Sequence, residues 1–189
     1  MKTLIANGTV IDPATNLQER TNVWIADGKV AHIGLTYTEE ADRVVDASGL
    51  LVVPGLVDIH VHFREPGFAH KETIRTGSLS AAAGGFTSVV CMPNTNPAID
   101  TPDTLAYVLR TGREEGIVRV YSSGAITHGI RGERLTDLQA LAEAGAVTFT
   151  DDGRSPMNPR ILLEAFQTAA KLNIPISSHC EDHSLVTEG

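Results

Sequence analysis

The chain has 189 residues, 42% hydrophobic and 20% charged, the balance of an ordinary globular protein. Its net charge of −8 argues against broad contact with nucleic acid or an anionic membrane surface, both of which need basic patches. No stretch reaches the roughly 20 apolar residues that span a bilayer. Cys91 and Cys180, the only cysteines, come with no secretory signal and read as reduced cytoplasmic thiols.

The first fifty residues carry short extended pieces at 3–6, 9–11, 22–25, 30–33, 44–45 and 51–53. Asn7-Gly8 and Asp27-Gly28 punctuate them as hairpin turns, so residues 1–53 read as strands of a small β domain. From Pro54 the rhythm changes to strand–helix repeats. Strands are expected at 56–63, 86–91, 117–122, 146–150 and 174–179, each about thirty residues after the last, the size of a βα unit. Thr101 with Pro102 and Asn158 with Pro159 open helices, and Asn173 offers a left-handed stop. Gly84-Gly85 closes the first helix, and Leu135, Leu138 and Leu141 stripe the third.

Alternating β and α elements imply an α/β fold with a parallel sheet, whose ligands gather at the carboxyl ends of the strands. A doubly wound sheet calls for a glycine-rich phosphate loop after its first strand, and residues 64–70 contain none. A (β/α) barrel fits better. Four complete units and a fifth strand fall short of eight, so residues 54–189 are expected to be the N-terminal portion of a longer (β/α)8 barrel.

The chemistry concentrates in Asp58-Ile59-His60-Val61-His62-Phe63-Arg64. In an extended strand Asp58, His60, His62 and Arg64 share one face, and two imidazoles at i and i+2 suit a shared first-row ion. Asp58, deeper on that face, is expected to orient a ligand imidazole. Arg64 can grip a carboxylate through two parallel hydrogen bonds, or pair with Glu65 or Glu72 at the surface. Asn94, at the next strand end, offers a donor and an acceptor, or serves as a turn residue before Pro97. His179 ends the fifth strand as a further candidate ligand. Cys91 and Cys180 read as buried small hydrophobes, and His70, His128 and His183 as solvated loop residues.

Four segments carry a resemblance. Pro54-Gly55-Leu56-Val57-Asp58-Ile59-His60-Val61-His62-Phe63-Arg64-Glu65-Pro66-Gly67 and Met92-Pro93-Asn94-Thr95-Asn96-Pro97 are two; Phe149-Thr150-Asp151-Asp152-Gly153 and Ser177-Ser178-His179-Cys180-Glu181 are the others. Together they resemble the long bacterial dihydroorotases, within the cyclic amidohydrolases. The resemblance implies a metal-dependent-hydrolase barrel preceded by part of a small β-sandwich. It implies two Zn²⁺ ions, with His60 and His62 on one and His179 on the other. An aspartate bridges them where hydantoinases and allantoinases use a carboxylated lysine. Spacing from His60 favours Asp152 for that role, leaving Asp151 as a cap or supporting acid.

The matching Arg64 and Asn94 bind the carboxylate of dihydroorotate. The implied reaction is reversible hydrolysis of its cyclic amide to N-carbamoyl-L-aspartate. A hydantoinase, an allantoinase or an inactive structural partner are the alternatives, and a homodimer or aspartate transcarbamoylase are the implied protein partners. The resemblance sets a general acid/base aspartate and another histidine ligand in later strands, so the 189 residues alone are expected to be weakly active or inactive.

Overall fold

The computed structural model describes residues 1–37 and 39–186, in two compact units, Met1–Pro54 and Gly55–Gly189. The first unit is one five-stranded sheet in the order β3-β2-β1-β4, with β5 also on β1. Its strands are β1 (Lys2–Asp12), β2 (Leu17–Ala26), β3 (Lys29–Gly34), β4 (Arg43–Asp46) and β5 (Leu51–Val52). Asp27 and Gly28, with φ of 51° and 74°, make the expected two-residue turn between β2 and β3, since this turn type needs positive φ at both positions.

Asn7-Gly8 departs from expectation. It is a bulge inside one continuous strand rather than a turn, with Asn7 at φ 66° and a register shift between Ile5 and Gly8. The bulge divides the outer edge of β1, so that β4 pairs with Thr3–Ala6 and β5 pairs with Thr9 and Val10, both parallel to it. Gly8 is needed there, because a Cβ would lie 2.5 Å from Val52 Cγ2. The first hairpin closes instead through residues 13–16, where the Asp12 carboxylate accepts from the Ala14 amide and the Thr15 hydroxyl. Within this first unit the described strands form that one sheet, where the resemblance implies part of a small β-sandwich.

The second unit holds a parallel sheet in the order β6-β7-β8-β9, joined by helices. The strands are β6 (Leu56–Val61), β7 (Phe86–Cys91), β8 (Arg119–Gly124) and β9 (Thr148–Phe149). The helices are α1 (Ile74–Ala83), α2 (Pro102–Glu115), α3 (Leu138–Glu143) and α4 (Pro159–Leu172). Thr101 and Asn158 cap α2 and α4 as their residue types predict, and Asn173 ends α4 at φ 55°. A second threonine pair, Thr73 and Thr76, closes a reciprocal cap on α1. The helix α3 starts only at Leu138, after an Asp137 cap. Leu135 lies before it, bridged to Thr127 as extended chain.

The expected fifth strand reduces to one bridge. The Phe149 amide donates to the Pro175 carbonyl and the Ser177 amide to the Phe149 carbonyl, framing Ile176. Pro175 has no N–H to give, and no described strand lies on the far side to propagate a ladder. The core packs Val89, Leu105, Val108, Leu138, Leu141 and Phe149 between sheet and helices, each essentially inaccessible. Among the described residues no helix is long and apolar enough to cross a membrane.

Helix α1 lies so close to the chain just past β6 that a Cβ on Gly77 would overlap the buried Phe63 ring. On helix propensity alone Gly77→Ala gains about 1 kcal/mol. Overpacking against a ring that cannot retreat outweighs that, and the substitution is expected to destabilise by about 1–3 kcal/mol in denaturant unfolding. A gain in stability would show that the helix slides away at little cost.

Candidate metal centre

The first strand of the barrel sheet does not keep strict alternation. Register shifts in the β6–β7 pairing fall between Leu56 and Val57 and between Asp58 and Val61. The strict alternation is thus broken between Asp58 and the imidazoles. Asp58 shares a recess with Val61, His62, Phe63 and Gly77, and its carboxylate accepts from the His60 amide at 3.0 Å, which fixes the His60 peptide. Arg64 also leaves the strand, at φ 59°.

His60 and His62 nevertheless converge, ring centroids 5.2 Å apart and nearly edge to face. Both meet Asp152, which lies three residues beyond β9. His60 Nε2 is 3.0 Å, and His62 Nε2 3.6 Å, from Asp152 Oδ1. One donor atom from each of the three lies within 4.8 Å of the others. Asn94, past the end of β7, closes the group. Its Nδ2 donates to Asp152 Oδ2 at 2.5 Å, and its Oδ1 faces His62 Nδ1 at 3.0 Å.

That ring of contacts fixes protons. An ionised carboxylate only accepts, so the Asn94 amide nitrogen must face Asp152 and its oxygen must face His62. His62 Nδ1 then carries the donated hydrogen. In a neutral ring this leaves the Nε2 lone pair aimed at Asp152 Oδ1 across 3.6 Å, too far for a hydrogen bond. Two acceptors face one another, and a positive charge between them resolves the conflict. The separations of 3.0 and 3.6 Å bracket the roughly 3.4 Å between two donors on tetrahedral zinc. A histidine whose far nitrogen is tied to a side-chain oxygen is also the usual arrangement of a metal-bound imidazole. The donor set fits a divalent cation.

The remaining candidates lie apart from that group or beside it. His179 Nε2 pairs with Glu181 Oε2 at 2.8 Å and does not join His60, His62 and Asp152. Its segment leaves the ladder after Ser177, and Cys180 turns it at φ 48°. Arg64 has no carboxylate within 4.0 Å among the described residues. Glu65 is occupied by the Ile74 amide and the Tyr107 hydroxyl, and Glu72 by Thr76, so neither surface pairing forms. Asp151 is buried and accepts twice from Thr127. Burial pushes its carboxyl above the usual range, with the Thr127 bonds opposing. His128 is not simply solvated; its Nδ1 lies 3.4 Å from Asp100, which also accepts from the Gly129 amide. The Asn94 and Thr127 contacts carry no periodic signal in sequence, because each joins loops that follow different strands.

The fold is an α/β parallel sheet with a candidate group of metal donors past its strand ends. A dihydro-orotase-like family model matches residues 49–189, and the chain belongs to that family. Dihydroorotases of Pelotomaculum thermopropionicum and Syntrophotalea carbinolica are 49% and 47% identical over 189 residues, all of this chain and 44% of each relative. The chain thus spans less than half the length of these curated relatives. L-hydantoinase of Arthrobacter aurescens superposes with a TM-score of 0.84 at 25% identity, over 97% of this chain and 41% of that one. A dihydroorotase crystal structure superposes at 0.62 and 17% identity, covering 96% and 51%, a likeness of fold.

The cysteines correct one expectation. Cys91 is buried as anticipated, and burial lifts its thiol to about 12, but Cys180 is exposed because the strand meant to bury it is not formed. A maleimide at neutral pH is expected to label Cys180 in the folded protein and Cys91 only after denaturation, read by peptide mass. Asn94→Ala, which frees both His62 Nδ1 and Asp152 Oδ2, is expected to lower Zn²⁺ affinity about 10–100-fold in chelator competition. Unchanged affinity would show that the imidazole needs no such anchor.

Proposed function

We propose that this chain supplies the metal-binding part of a dihydroorotase, which opens the cyclic amide of (S)-dihydroorotate to N-carbamoyl-L-aspartate and closes it during pyrimidine synthesis. One observation carries the reading: two imidazoles and a carboxylate converge at strand ends in a chain 43–49% identical to dihydroorotases over nearly its whole length. We assign zinc, two ions to the complete site, since imidazole and carboxylate donors suit it. In this assignment His60, His62 and Asp152 would hold the cations, with Asp152 shared between them, and His179, now paired with Glu181, would be a further ligand. When bound, such a cation supplies Lewis acidity and a water acidified to near pH 7.

The chain's own residues orient the substrate. Arg64, half-buried and unpaired with any described carboxylate, presents two parallel N–H groups to the substrate carboxylate. Asn94 spends one N–H on Asp152 and one oxygen lone pair on His62. Its second N–H remains for the same carboxylate. A cyclic amide that lacks a carboxylate leaves these donors unmatched, which disfavours hydantoin and allantoin as substrates.

The test compares ring opening of dihydroorotate, hydantoin and allantoin by the full-length, zinc-loaded protein. Dihydroorotate is expected to be preferred in kcat/KM by at least about 100-fold. His62→Ala and Asp152→Asn are expected to lose zinc by more than the roughly 10–100-fold typical of a supporting partner, and activity with it. Equal or faster turnover of hydantoin would replace the reading with a hydantoinase. Tight zinc binding without turnover of any cyclic amide would replace it with a structural role.

A further inference from the structure

Strand β9 is two residues long, and its ladder bonds end with the Thr150 amide on the Gly124 carbonyl. Asp152 lies beyond that anchorage and adopts φ 53°, a left-handed backbone that costs a non-glycine residue about 1–2 kcal/mol. Its carboxylate must still reach across to His60 and His62. Two local bonds shape the turn, from the Asp152 amide to the Thr150 hydroxyl at 2.9 Å and from the Arg154 amide to the Asp151 carbonyl at 3.2 Å, and Asn94 Nδ2 reaches the Asp152 carboxylate from outside it. The two local bonds set the shape of the turn but do not tie it to another element, so its seat must be fixed elsewhere.

The neighbouring acid is held at two points. Asp151 Oδ1 accepts from the Thr127 amide at 3.0 Å, and Oδ2 from the Thr127 hydroxyl at 2.5 Å. Thr127 is fully buried, and its hydroxyl in turn accepts from the Gly132 amide at 2.8 Å. Asp151 itself is 3% exposed. A carboxylate taken from water costs several kcal/mol unless it is well bound, and an apolar side chain of like size would pack there at lower cost. The acid is explained if its grip does something an apolar residue cannot. Two bonds to one rigid residue set both the position and the plane of the group, and hence the direction in which the next residue leaves.

We infer that Asp151, gripped at two points by Thr127, is a positioning residue that holds Asp152 within reach of His60 and His62. The inference rests on the metal-centre reading above. Asp151 touches neither imidazole and acts only through its neighbour. Its loss therefore alters metal geometry, not merely folding.

The experiment titrates the full chain with Co²⁺, following visible absorption and chelator competition, beside thermal unfolding of the metal-free protein. Asp151→Ala is expected to weaken Co²⁺ binding about 10–100-fold and to change the bound-ion spectrum. Asp151→Asn keeps an oxygen for the Thr127 amide and can turn its nitrogen to the hydroxyl, so it should recover most of the affinity. Thr127→Val keeps the amide donor, loses the hydroxyl, and should fall between. Unchanged affinity and spectrum in Asp151→Ala, with only the melting temperature lowered, would overturn the inference. Should Asp151→Ala fail to fold, wild-type affinity in Thr127→Val overturns it equally. Failure of the unaltered chain to bind Co²⁺ would instead overturn the metal-centre reading and carry this inference down with it.

Discussion

The carboxylate of Asp152 joins the first and the fourth strands of a parallel sheet. Neighbouring strands lie 4.7–4.9 Å apart, so in a flat sheet β6 and β9 would be separated by roughly 14 Å. Yet His60 Nε2 and Asp152 Oδ1 are 3.0 Å apart. The gap is spanned by the His60 side chain and by the residues that carry Asp152 back from the end of β9, a convergence that the curvature of a barrel sheet favours. The site thus depends on the course of the chain past the strand ends. Any change that flattened the sheet would scatter the donors without touching one of them.

Asn94 makes that convergence chemically definite. With an amide between them, His62 and Asp152 no longer form an arbitrary acid–base pair. The Oδ1 contact assigns the His62 tautomer, and the Nδ2 contact orients the carboxylate. A water in the same place could turn to donate or accept, and the lone pair of Nε2 would lose its direction. The residue that the family resemblance assigns to substrate is therefore also part of the frame that prepares the metal donors. Under the proposed function the two tasks would use different hydrogens of the same amide and would not compete.

Legibility in sequence follows how local each feature is. Thr101-Pro102, Asn158-Pro159 and Asn173 were readable because a cap is decided within four residues. Asp27-Gly28 was readable for the same reason, whereas Asn7-Gly8 was misleading: positive φ serves a bulge as well as a turn, and only the partner strand distinguishes them. The alternation through Asp58, His60 and His62 found the imidazoles, but a register shift set by β7 interrupts it, and Asp58 bonds the His60 peptide. The segment at 174–179 has the composition of a strand, but a strand is defined by neighbours, and among the described residues only Phe149 pairs with it. The exposure of Cys180 and the separation of His179 follow from that one missing ladder.

Fold likeness and sequence likeness point to different members of the same superfamily, and the site explains why. The backbone superposes on an L-hydantoinase at a TM-score of 0.84 and on a dihydroorotase at 0.62, although the relatives at 49% and 47% identity are dihydroorotases. Superposition weighs every Cα alike and so reports the curled sheet, which any enzyme needing donors at these strand ends must share. Substrate choice depends instead on a few side chains that superposition ignores. Under the proposed function, an Arg64 guanidinium with no carboxylate partner among the described residues and a spare N–H on Asn94 would favour a ring that carries a carboxylate, whatever the similarity of the frame around them. On that reading the frame brings the donors together, and the side chains above it discriminate among rings.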